Sequence, residues 1–406
     1  MRLLGMTIPA EYHSIAVLQI RARPRRTKVV EAGSAVAPRF LPWLVALVSS
    51  AARRHNKVMA NISSDAPLVA IVTPVFNGAA FLRETMDSVQ AISHPNLVHV
   101  VLDNASTDAT PDIIRAYANA RVRVLAARNT RTLSMLANWN AAVALVPETA
   151  QYFWLLCADD TLAPHAITCA LKIAETDRRI LLVGCQWRAY NGQIVGHELP
   201  RAKSIFEGKE ILRSYLRREH AALAGPHMLV RRCLLNPPLP YYGDGGGAGG
   251  IVVSFDTEAN LRACVRGLFG FVHDELVHWR QHPGSATSMS SLKMRLFDAD
   301  WPLLLDRYAA HALGHAEYLD CRKSFRRHLL RRLLLVRLKD GDKTTFDWHL
   351  NLMRSRDDAA RWRDFADALA EWPLLWLTGQ RARVGRPAAR VPAAPAAHGH
   401  PSAPPS

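Results

Sequence analysis

Short apolar runs alternate with segments of helical periodicity between residues 67 and 160. The runs cover residues 68–73, 98–103, 122–126 and 152–157, and the first is continuously apolar and β-branched, as in a strand buried on both faces of a sheet. The segments between them repeat apolar residues at helical spacing or carry proline in a first turn, which predicts helices over residues 81–92, 111–117 and 135–145. This alternation predicts an α/β fold with a mostly parallel central sheet flanked by helices.

The two ends of the chain lack this order. Residues 1–66 show scattered arginines without clean periodicity, and Met59 stands just before the organised region, so we expect a poorly ordered extension and Met59 as the true start. Residues 381–406 are rich in proline and alanine, a composition that buries too little apolar surface to offset its ordering entropy. We therefore expect a disordered tail there, preceded by a helical C-terminal region over residues 289–380.

The net charge of +16 is concentrated in the flanks. Residues 1–66 carry 10 Lys/Arg and 3 Asp/Glu, residues 67–288 carry 21 and 19, and residues 289–406 carry 20 and 13. A specific nucleic-acid binder concentrates positive charge at its recognition elements, so the nearly neutral centre argues against nucleic acid as a partner. Basic flanks fit a phosphate-rich membrane surface and plain solubility equally well.

Residues 322–339 contain eight basic residues and no acidic residue. On a helix, Phe325, Leu329 and Leu333 form an apolar stripe, but Leu330 falls on the opposite side among arginines. Because the apolar and basic faces do not segregate, the pattern favours a packed helix. Peripheral membrane contact through this basic region stays open as the alternative.

The six cysteines form no C-x-x-C pair and show no metal-finger spacing, which favours reduced thiols and a cytoplasmic location. No apolar run approaches the roughly 20 residues that a membrane-spanning helix needs. The nearest run, residues 40–52, is shorter and contains a proline. We expect a cytoplasmic protein, with the inner face of the membrane as an alternative peripheral location.

Polar side chains follow three of the predicted strands. In open parallel sheets ligands bind beyond the carboxyl ends of the strands, so these side chains are the first candidates for chemistry. Four aspartates fall there: Asp103, Asp108, Asp159 and Asp160. A divalent cation, or hydrogen bonds to a ribose and a base, would relieve their repulsion. The pair Asp159–Asp160 offers oxygen ligands suited to Mg²⁺ or Mn²⁺, with capping of the next helix as the alternative.

Four segments carry a resemblance to a known family. They read PVFNGAAFLRETMDSV, VVLDNASTDAT, NWNAAVA and YFWLLCADDTLAPHAI. In order and spacing they resemble the successive signatures of family 2 glycosyltransferases, over residues 67–288. The resemblance implies the GT-A (nucleotide-diphospho-sugar transferase) fold and makes this segment the catalytic domain. It also implies transfer of a sugar, of hexosyltransferase type, from a nucleoside diphosphate-sugar donor to a hydroxyl with inversion. The implied cofactor is Mn²⁺ or Mg²⁺, and the implied acceptor is a glycan or a lipid-linked molecule in cell-envelope or exopolysaccharide synthesis.

The resemblance also implies roles for single residues. It implies that the donor is contacted by Pro74, Phe76, Asn77, Glu84, Asp103, Ser106, Asp108, Asn138 and Asp159. It implies a metal held by Asp159, Asp160 and His282, the last within WRQHPGSAT at residues 279–287. Cys157 stands where the family's D-x-D motif has its first acid, which leaves open which carboxylate is the direct ligand.

Two further segments resemble the acceptor half of the family's site. GPHMLVRR at residues 225–232 resembles the segment that leads into it, and FDTE at residues 255–258 resembles the acidic motif that supplies the catalytic base. Transfer with inversion in one displacement needs a carboxylate that takes the hydroxyl proton, and we expect Asp256 in this role with Glu258 in reserve. The alternative places both acids on the exposed face of a helix. The glycine run at residues 243–250 fits either a mobile lid or a surface insertion.

Other nucleotide-binding classes lack their motifs in this sequence. The turn after the first strand offers only Gly78 instead of G-x-G-x-x-G, and no phosphate-cradling G-x-x-x-x-G-K-[ST] segment occurs. The remaining rival is a catalytically inactive sugar-nucleotide-binding module of the same fold. Cys157 makes that rival conceivable, whereas the intact Asp159, Asp256 and His282 argue against it.

Overall fold

The computed structural model describes residues 66–189, 194–236, 240–243, 250–282, 284–285, 294–371 and 373. Several expectations lie outside these residues: the N-terminal extension with its start at Met59, the tail at 381–406, and most of the glycine run at 243–250. Parts of the segment 279–287 lie outside them as well.

The first half of the sheet follows the predicted alternation of strands and helices. Its elements are β1 (Val69–Val75), α1 (Leu82–Gln90), β2 (Leu97–Asp103), α2 (Thr110–Ala116), β3 (Arg123–Arg128), α3 (Met135–Val143) and β4 (Tyr152–Leu155). The strands lie in the order β3-β2-β1-β4, and each neighbouring pair is parallel. Every residue of β1 is buried, as the continuous apolar run predicts for a strand covered on both faces.

The second half of the sheet mixes parallel and antiparallel pairs. Its elements are β5 (Thr161–Leu162), α4 (Ala166–Ala174), β6 (Ile180–Ala189), β7 (Ile194–Val195), β8 (Ile205–Phe206), α5 (Gly208–Leu216), β9 (Met228–Arg231), a 3-10 turn (Arg232–Leu235), α6 (Phe255–Arg266) and β10 (Leu268–Trp279). The main order is β3-β2-β1-β4-β9-β6-β10-β5. Since β9 runs antiparallel to both β4 and β6, it joins the parallel first half to the parallel β6–β10 pair.

The strands send alternate side chains into cores on the two faces of the sheet. On β1, Ala70 and Val72 enter one cluster, whereas Val69 and Ile71 enter the other. This two-sided burial follows from the period of two along a strand. The first cluster also takes in Leu305 and other residues of the C-terminal helices, so that region shares a core with the sheet.

Four helices follow the sheet: α7 (Leu296–Ala312), α8 (His315–Leu338), α9 (Lys343–Ser355) and α10 (Trp362–Ala370). The prediction of a packed helix at residues 322–339 is confirmed, because Leu330 and Leu333 of α8 are completely buried. Trp301 of α7 stacks on Phe325 of α8 with ring centroids 4.4 Å apart. In the part of the chain that the structure describes, no helix has the length and apolar character to span a membrane.

The carboxyl ends of the first three strands meet at one edge of the sheet. Val75 at the end of β1 lies opposite Asp103 at the end of β2, which in turn lies opposite Arg128 at the end of β3. The end of β4, Leu155, lies opposite Val72, three residues before Val75. The loops that leave this edge carry most of the residues that the sequence singles out.

Candidate functional site

The loops after β1 and β2 are hydrogen-bonded to each other through predicted site residues. The Asn77 N–H donates to Ser106 Oγ (2.8 Å), and the Thr107 N–H donates to Asn77 Oδ1 (2.9 Å). Asp108 Oδ2 accepts the Ala79 N–H at 2.9 Å. Asn77 has a left-handed backbone (φ 49°), which asparagine tolerates better than most residues. Asn77, Ser106 and Asp108 therefore fix the shape of this edge.

Phe76 and Pro74 differ sharply in their access to a ligand. Phe76 is 39% exposed beside the interlocked loops, so its ring is available for a planar group such as a base. Pro74 is buried within β1. Its role as a donor contact stays a prediction.

Asp103 is held by an arginine that the sequence did not single out. Its carboxylate is 2% exposed, accepts the Ser106 N–H through Oδ1 (2.9 Å) and pairs with the Arg128 guanidinium through Oδ2. Arg128 also donates from Nη2 to the Ser106 carbonyl (2.8 Å). Each carboxylate oxygen keeps capacity for a further hydrogen bond from a ligand. The signal for Arg128 was its position two residues after the predicted third strand.

Three asparagines form an amide cluster at the same edge. Asn129 Nδ2 donates to Asn104 Oδ1 and to Asn138 Oδ1, both at 2.9 Å. Asn104 is fixed by exchanging two hydrogen bonds with the backbone of Leu133. Asn138, on α3, is buried and reaches the edge through this cluster. Sequence reasoning found Asn138 and missed Asn129, which follows the end of β3.

Cys157, Asp159 and Asp160 bring their ligand-type atoms within 4.8 Å of one another. Asp160 is 1% exposed, and its Oδ1 accepts the Arg280 N–H at 2.8 Å. Its Oδ2 has no hydrogen-bond partner among the described residues and lies 3.7 Å from His227 Nε2. Burial and the charge of Asp159 raise the pKa of Asp160 well above its usual range.

Asp159 is the more accessible of the two aspartates. Its side chain is 28% exposed, and its Oδ2 lies 3.1 Å from His282 Nε2. A carboxylate and an imidazole in contact form part of a ligand set for a divalent cation. Burial, and then the charges of Asp160 and Asp159, raise the pKa of the Cys157 thiol well above its ordinary value, so the protonated thiol is a poor ligand for a hard cation. The donor set, with the unpartnered Asp160 oxygen behind it, fits Mg²⁺ or Mn²⁺ centred on Asp159.

Arg280 connects the aspartate pair to α1. Its Nε donates to the Asp159 carbonyl (3.1 Å), and its guanidinium pairs with Glu84 and lies 4.6 Å from the centroid of the Phe81 ring. Phe81 also contacts the His282 ring at 4.6 Å between centroids. The Glu84 carboxylate is exposed, and its contact within the site is to Arg280. Arg280 stands in the segment that the sequence highlighted, but only its neighbour His282 was given a role.

Asp256 stands in the first turn of α6 and is half-buried. Its Oδ1 accepts the Thr257 N–H at 2.6 Å. Burial, with a contribution from the charge of Asp300, raises the pKa of Asp256 to about 6. The charge of Asp256 also raises the pKa of the Cys157 thiol, so Asp256 lies within electrostatic range of the group formed by Cys157, Asp159 and Asp160. A carboxylate with this pKa can accept a proton near neutral pH.

Glu258 has a different environment, two residues further along α6. Its side chain is 4% exposed. The Tyr308 hydroxyl donates to Glu258 Oε1 (2.6 Å), Arg262 Nη1 lies 3.0 Å from Oε2, and Arg307 Nη1 lies 3.3 Å from Oε1. Both oxygens are occupied by protein groups. The alternative of two acids on an exposed helix face does not describe this arrangement, since Glu258 is buried.

The backbone that leads into α6 is held by a residue of the C-terminal helices. Asp300 of α7 is completely buried and accepts the backbone N–H groups of Val252, Val253 and Ser254 at 2.7, 2.8 and 2.8 Å. Three charge-assisted hydrogen bonds to consecutive amides fix that segment firmly. No sequence motif pointed to Asp300.

Comparisons with known proteins match part of this chain to a described family. Residues 70–235 match the family described as Glycosyl transferase family 2. An uncharacterised glycosyltransferase of Methanocaldococcus jannaschii is 28% identical over 176 residues, which are 42% of this chain and 58% of that protein. The putative teichuronic acid biosynthesis glycosyltransferase TuaG of Bacillus subtilis is 36% identical over 58 residues, 14% of this chain and 23% of that protein. The chain therefore spans less than two thirds of the length of either relative.

A solved structure supports the fold. The crystal structure of S. aureus TarS 1-349 in complex with UDP-GlcNAc superposes with a TM-score of 0.53 at 14% sequence identity, covering 77% of this chain and 92% of that chain. At this identity the likeness speaks for the fold alone. Together with the family match, it confirms the predicted fold class: the structure has the GT-A fold, and residues 70–235 are similar to glycosyl transferase family 2.

Proposed function

We propose that this protein transfers a sugar from a nucleoside diphosphate-sugar to an acceptor hydroxyl, with inversion and with the help of a divalent metal. One observation carries the proposal: Cys157, Asp159 and Asp160 bring their ligand-type atoms within 4.8 Å of one another, and Asp159 Oδ2 lies 3.1 Å from His282 Nε2. Asp256 lies within electrostatic range of Cys157 in this group, so two acids of different environment border the same area. Asp159 touches an imidazole, whereas Asp256 has a pKa raised to about 6.

The donor half of the proposed site lies at the edge formed by β1, β2 and β3. Asp103, backed by Arg128, offers carboxylate oxygens for the base or ribose, and the exposed Phe76 ring offers a stacking surface. Asn77, Ser106 and Asp108 keep these loops in place. TarS is bound to UDP-GlcNAc in its structure, which supports a nucleoside diphosphate-sugar as the class of donor.

The diphosphate belongs beside Asp159 in this proposal. Asp159 and His282, with Asp160 behind them, would hold a divalent cation. The cation would neutralise the charge on the departing nucleoside diphosphate. Asp160 and Glu84 fix the position of Arg280 through its backbone and its guanidinium. The Arg280 guanidinium adds positive charge to the same area.

Asp256 acts as the base that takes the proton of the acceptor hydroxyl. The deprotonated oxygen attacks the anomeric carbon from the face opposite the leaving group, the bond to the diphosphate oxygen breaks, and the configuration inverts in one step. Glu258 does not suit this role because its two oxygens are engaged by Tyr308 and Arg262. A glycan or lipid-linked acceptor in cell-envelope or exopolysaccharide synthesis, on the cytoplasmic side, is the proposed setting. The name of TuaG supports it.

The test is a panel of sugar nucleotides with Mn²⁺ or Mg²⁺, scored by release of the nucleoside diphosphate. Metal-dependent release from one donor, lost in Asp256→Asn when acceptor is present, supports the enzyme. The rival, an inactive sugar-nucleotide-binding module, predicts donor binding by calorimetry without release. Absence of both binding and release across the panel contradicts the proposal.

A further inference from the structure

A group of basic side chains lies on the side of the proposed base that faces the C-terminal helices. It comprises Arg218 after α5, Arg295 before α7 and Arg332 of α8, and we call it the arginine cluster. Asp298 is the acid within its range, and it pairs with Arg295 at 2.5 Å. In the described part of the chain, neither Arg218 nor Arg332 forms an ion pair. The cluster therefore holds three positive charges against one negative charge.

The Arg218 guanidinium contacts two aromatic rings, but the N–H donors along its edge include one without an acceptor among the described residues. Its guanidinium lies over the Phe325 ring at 5.1 Å and the Trp301 ring at 6.0 Å from their centroids. Such stacking leaves the N–H donors in the plane of the group unused. Nη1 of Arg218 and Nε of Arg295 are buried without a hydrogen-bond acceptor among the described residues. Buried donors of this kind cost free energy unless an acceptor fills the site.

Burial makes the charged state of these arginines more costly. It lowers the pKa of both the Arg218 and the Arg332 guanidinium, and the charge of Arg295 lowers each further. Nothing adjacent in the sequence offers compensation, because residues 286–293 contain Lys293 and no acid. A bound oxyanion would offset the repulsion among the three arginines and would accept hydrogen bonds from the unpartnered N–H groups.

The cluster is held in a fixed backbone framework. Arg218 and Arg295 both have left-handed conformations, with φ of 62° and 56°, which non-glycine residues adopt at a cost. The residue before Arg295 is tied down by a hydrogen bond between His349 Nε2 and the Met294 carbonyl (2.8 Å). Preorganised donors bind an anion with little further loss of entropy.

The Tyr215 side chain lies within electrostatic range of both Arg218 and Asp256. The Tyr215 hydroxyl, in the last turn of α5, is hydrogen-bonded to the Thr257 side chain next to Asp256. The charges of Asp256 and of Arg218 both act on this hydroxyl, whose pKa burial raises to about 12. α5 packs against both α6 and α7, so Asp256 and the arginine cluster lie beside the same helix.

We propose that the arginine cluster is a binding site for a phosphate-type oxyanion and receives a phosphate group carried by the acceptor. Guanidinium groups bind phosphate through pairs of parallel hydrogen bonds, which suits the free edge of Arg218. The assignment to the acceptor rests on the proposed function, whereas anion binding by the cluster stands without it. The acceptor is thereby a phosphorylated glycan or a lipid-linked phosphate.

Binding is tested with inorganic phosphate and the full chain, by thermal unfolding at constant ionic strength. Phosphate raises the Tm of the wild type, and Arg332→Gln and Arg218→Gln lose this rise. The matched control Lys323→Gln, an exposed cation on the same helix, keeps it. Asp159→Asn keeps it too, which separates the cluster from the donor site. Without phosphate, Arg332→Gln melts no lower than the wild type, because a repulsive charge is gone.

A full phosphate response in Arg332→Gln overturns the proposal. Should Arg218→Gln fail to fold for want of its ring contacts, Arg332→Gln decides the matter alone. We also expect Arg218→Lys, which keeps the positive charge, to retain part of the increase in Tm caused by phosphate.

The source of the phosphate is settled by sedimentation with vesicles of phosphatidylcholine, with and without phosphatidylglycerol. A lipid-linked phosphate is supported if the wild type and Lys323→Gln sediment with the anionic vesicles and Arg332→Gln does not. A response to inorganic phosphate without capture supports a soluble phosphorylated acceptor. Failure of both probes to bind contradicts the site.

Measuring donor hydrolysis separately from transfer to acceptor distinguishes a failure of this inference from a failure of the proposed function. Arg332→Gln releases nucleoside diphosphate to water at the wild-type rate, yet transfers to acceptor at least tenfold more slowly, a change carried by the KM for acceptor. If the wild type neither hydrolyses donor nor transfers its sugar to an acceptor, the proposed function fails while the phosphate response still reports on the cluster. If Arg332→Gln transfers normally, the role in acceptor binding is wrong.

Discussion

The Asp300 carboxylate accepts the backbone N–H of Ser254, two residues before Asp256, at 2.8 Å. Asp300 belongs to α7, beyond the segment 70–235 that matches the family. The same carboxylate holds the amides of Val252 and Val253. The C-terminal helices therefore do more than bury apolar surface, because they set the start of the helix that carries the proposed base.

Asp300→Asn is expected to weaken both stability and turnover. An asparagine side chain has one carbonyl oxygen, and its amino group opposes the backbone donors, so the three hydrogen bonds cannot all survive. We expect the free energy of unfolding to fall by about 2 kcal/mol and kcat to fall by about tenfold. Denaturant unfolding and turnover at saturating donor measure the two effects.

Asp306→Asn is the matched control on the same helix. The Asp306 carboxylate contacts the Tyr318 hydroxyl (2.8 Å) and Arg322, away from the segment at 252–254. We expect its kcat to equal that of the wild type. An Asp300→Asn protein with normal kcat would show that the base keeps its position without this anchor.

The pH dependence of kcat should report the ionisation of Asp256. A general base works in its deprotonated form, and burial raises the pKa of Asp256 to about 6. Turnover therefore rises with pH up to about 6 and then levels off, falling about tenfold for each pH unit below that value. In Asp300→Asn a neighbouring negative charge is removed, so the midpoint moves to lower pH. A profile flat from pH 4.5 to 8 in the wild type is the result that excludes Asp256 as the base.

Glu258→Gln and Asp256→Asn should fail in opposite ways. Glu258 is buried between Tyr308, Arg262 and Arg307, so its neutralisation weakens a charged hydrogen-bond network and lowers the free energy of unfolding by about 2 kcal/mol. Asp256→Asn removes a carboxylate whose charged form is disfavoured by burial, so its stability is at least that of the wild type.

Activity separates these two variants as well. Asp256→Asn keeps donor affinity and loses transfer by about 100-fold or more. Glu258→Gln transfers normally at a temperature where it is folded. Paired measurements of unfolding and of transfer check both expectations, and the reverse pattern would make Glu258 the base.

The strands and loops that carry the proposed donor half could be predicted from the sequence because their signals are local. Continuous apolar runs identify buried strands, and the rule that ligands bind beyond their carboxyl ends directs attention to Asp103 and Asp159. Local sequence also predicted the packed character of α8, since the two faces of the segment at 322–339 do not segregate.

The contacts that orient these residues come from distant parts of the chain. Arg280 reaches Asp159 across 121 positions of sequence, and Asp300 reaches Ser254 across 46. A pattern of apolar residues carries no information on such pairings, because they depend on how the sheet is ordered. The antiparallel insertion of β9 between β4 and β6, which brings His227 to Asp160, is equally invisible in a short apolar run.

Asp159 and Asp160 should differ in how they affect the metal requirement. Asp159 is accessible and touches His282, whereas Asp160 is 1% exposed and holds the Arg280 N–H. We expect Asp159→Asn to raise the Mn²⁺ concentration for half-maximal activity by about 100-fold, as loss of a direct ligand does. Asp160→Asn should raise it by about tenfold, in line with a supporting partner. Titration of activity with Mn²⁺ distinguishes the two variants. If Asp160→Asn has the larger effect on the Mn²⁺ requirement, the buried carboxylate is the direct ligand and the accessible Asp159 is its supporting partner.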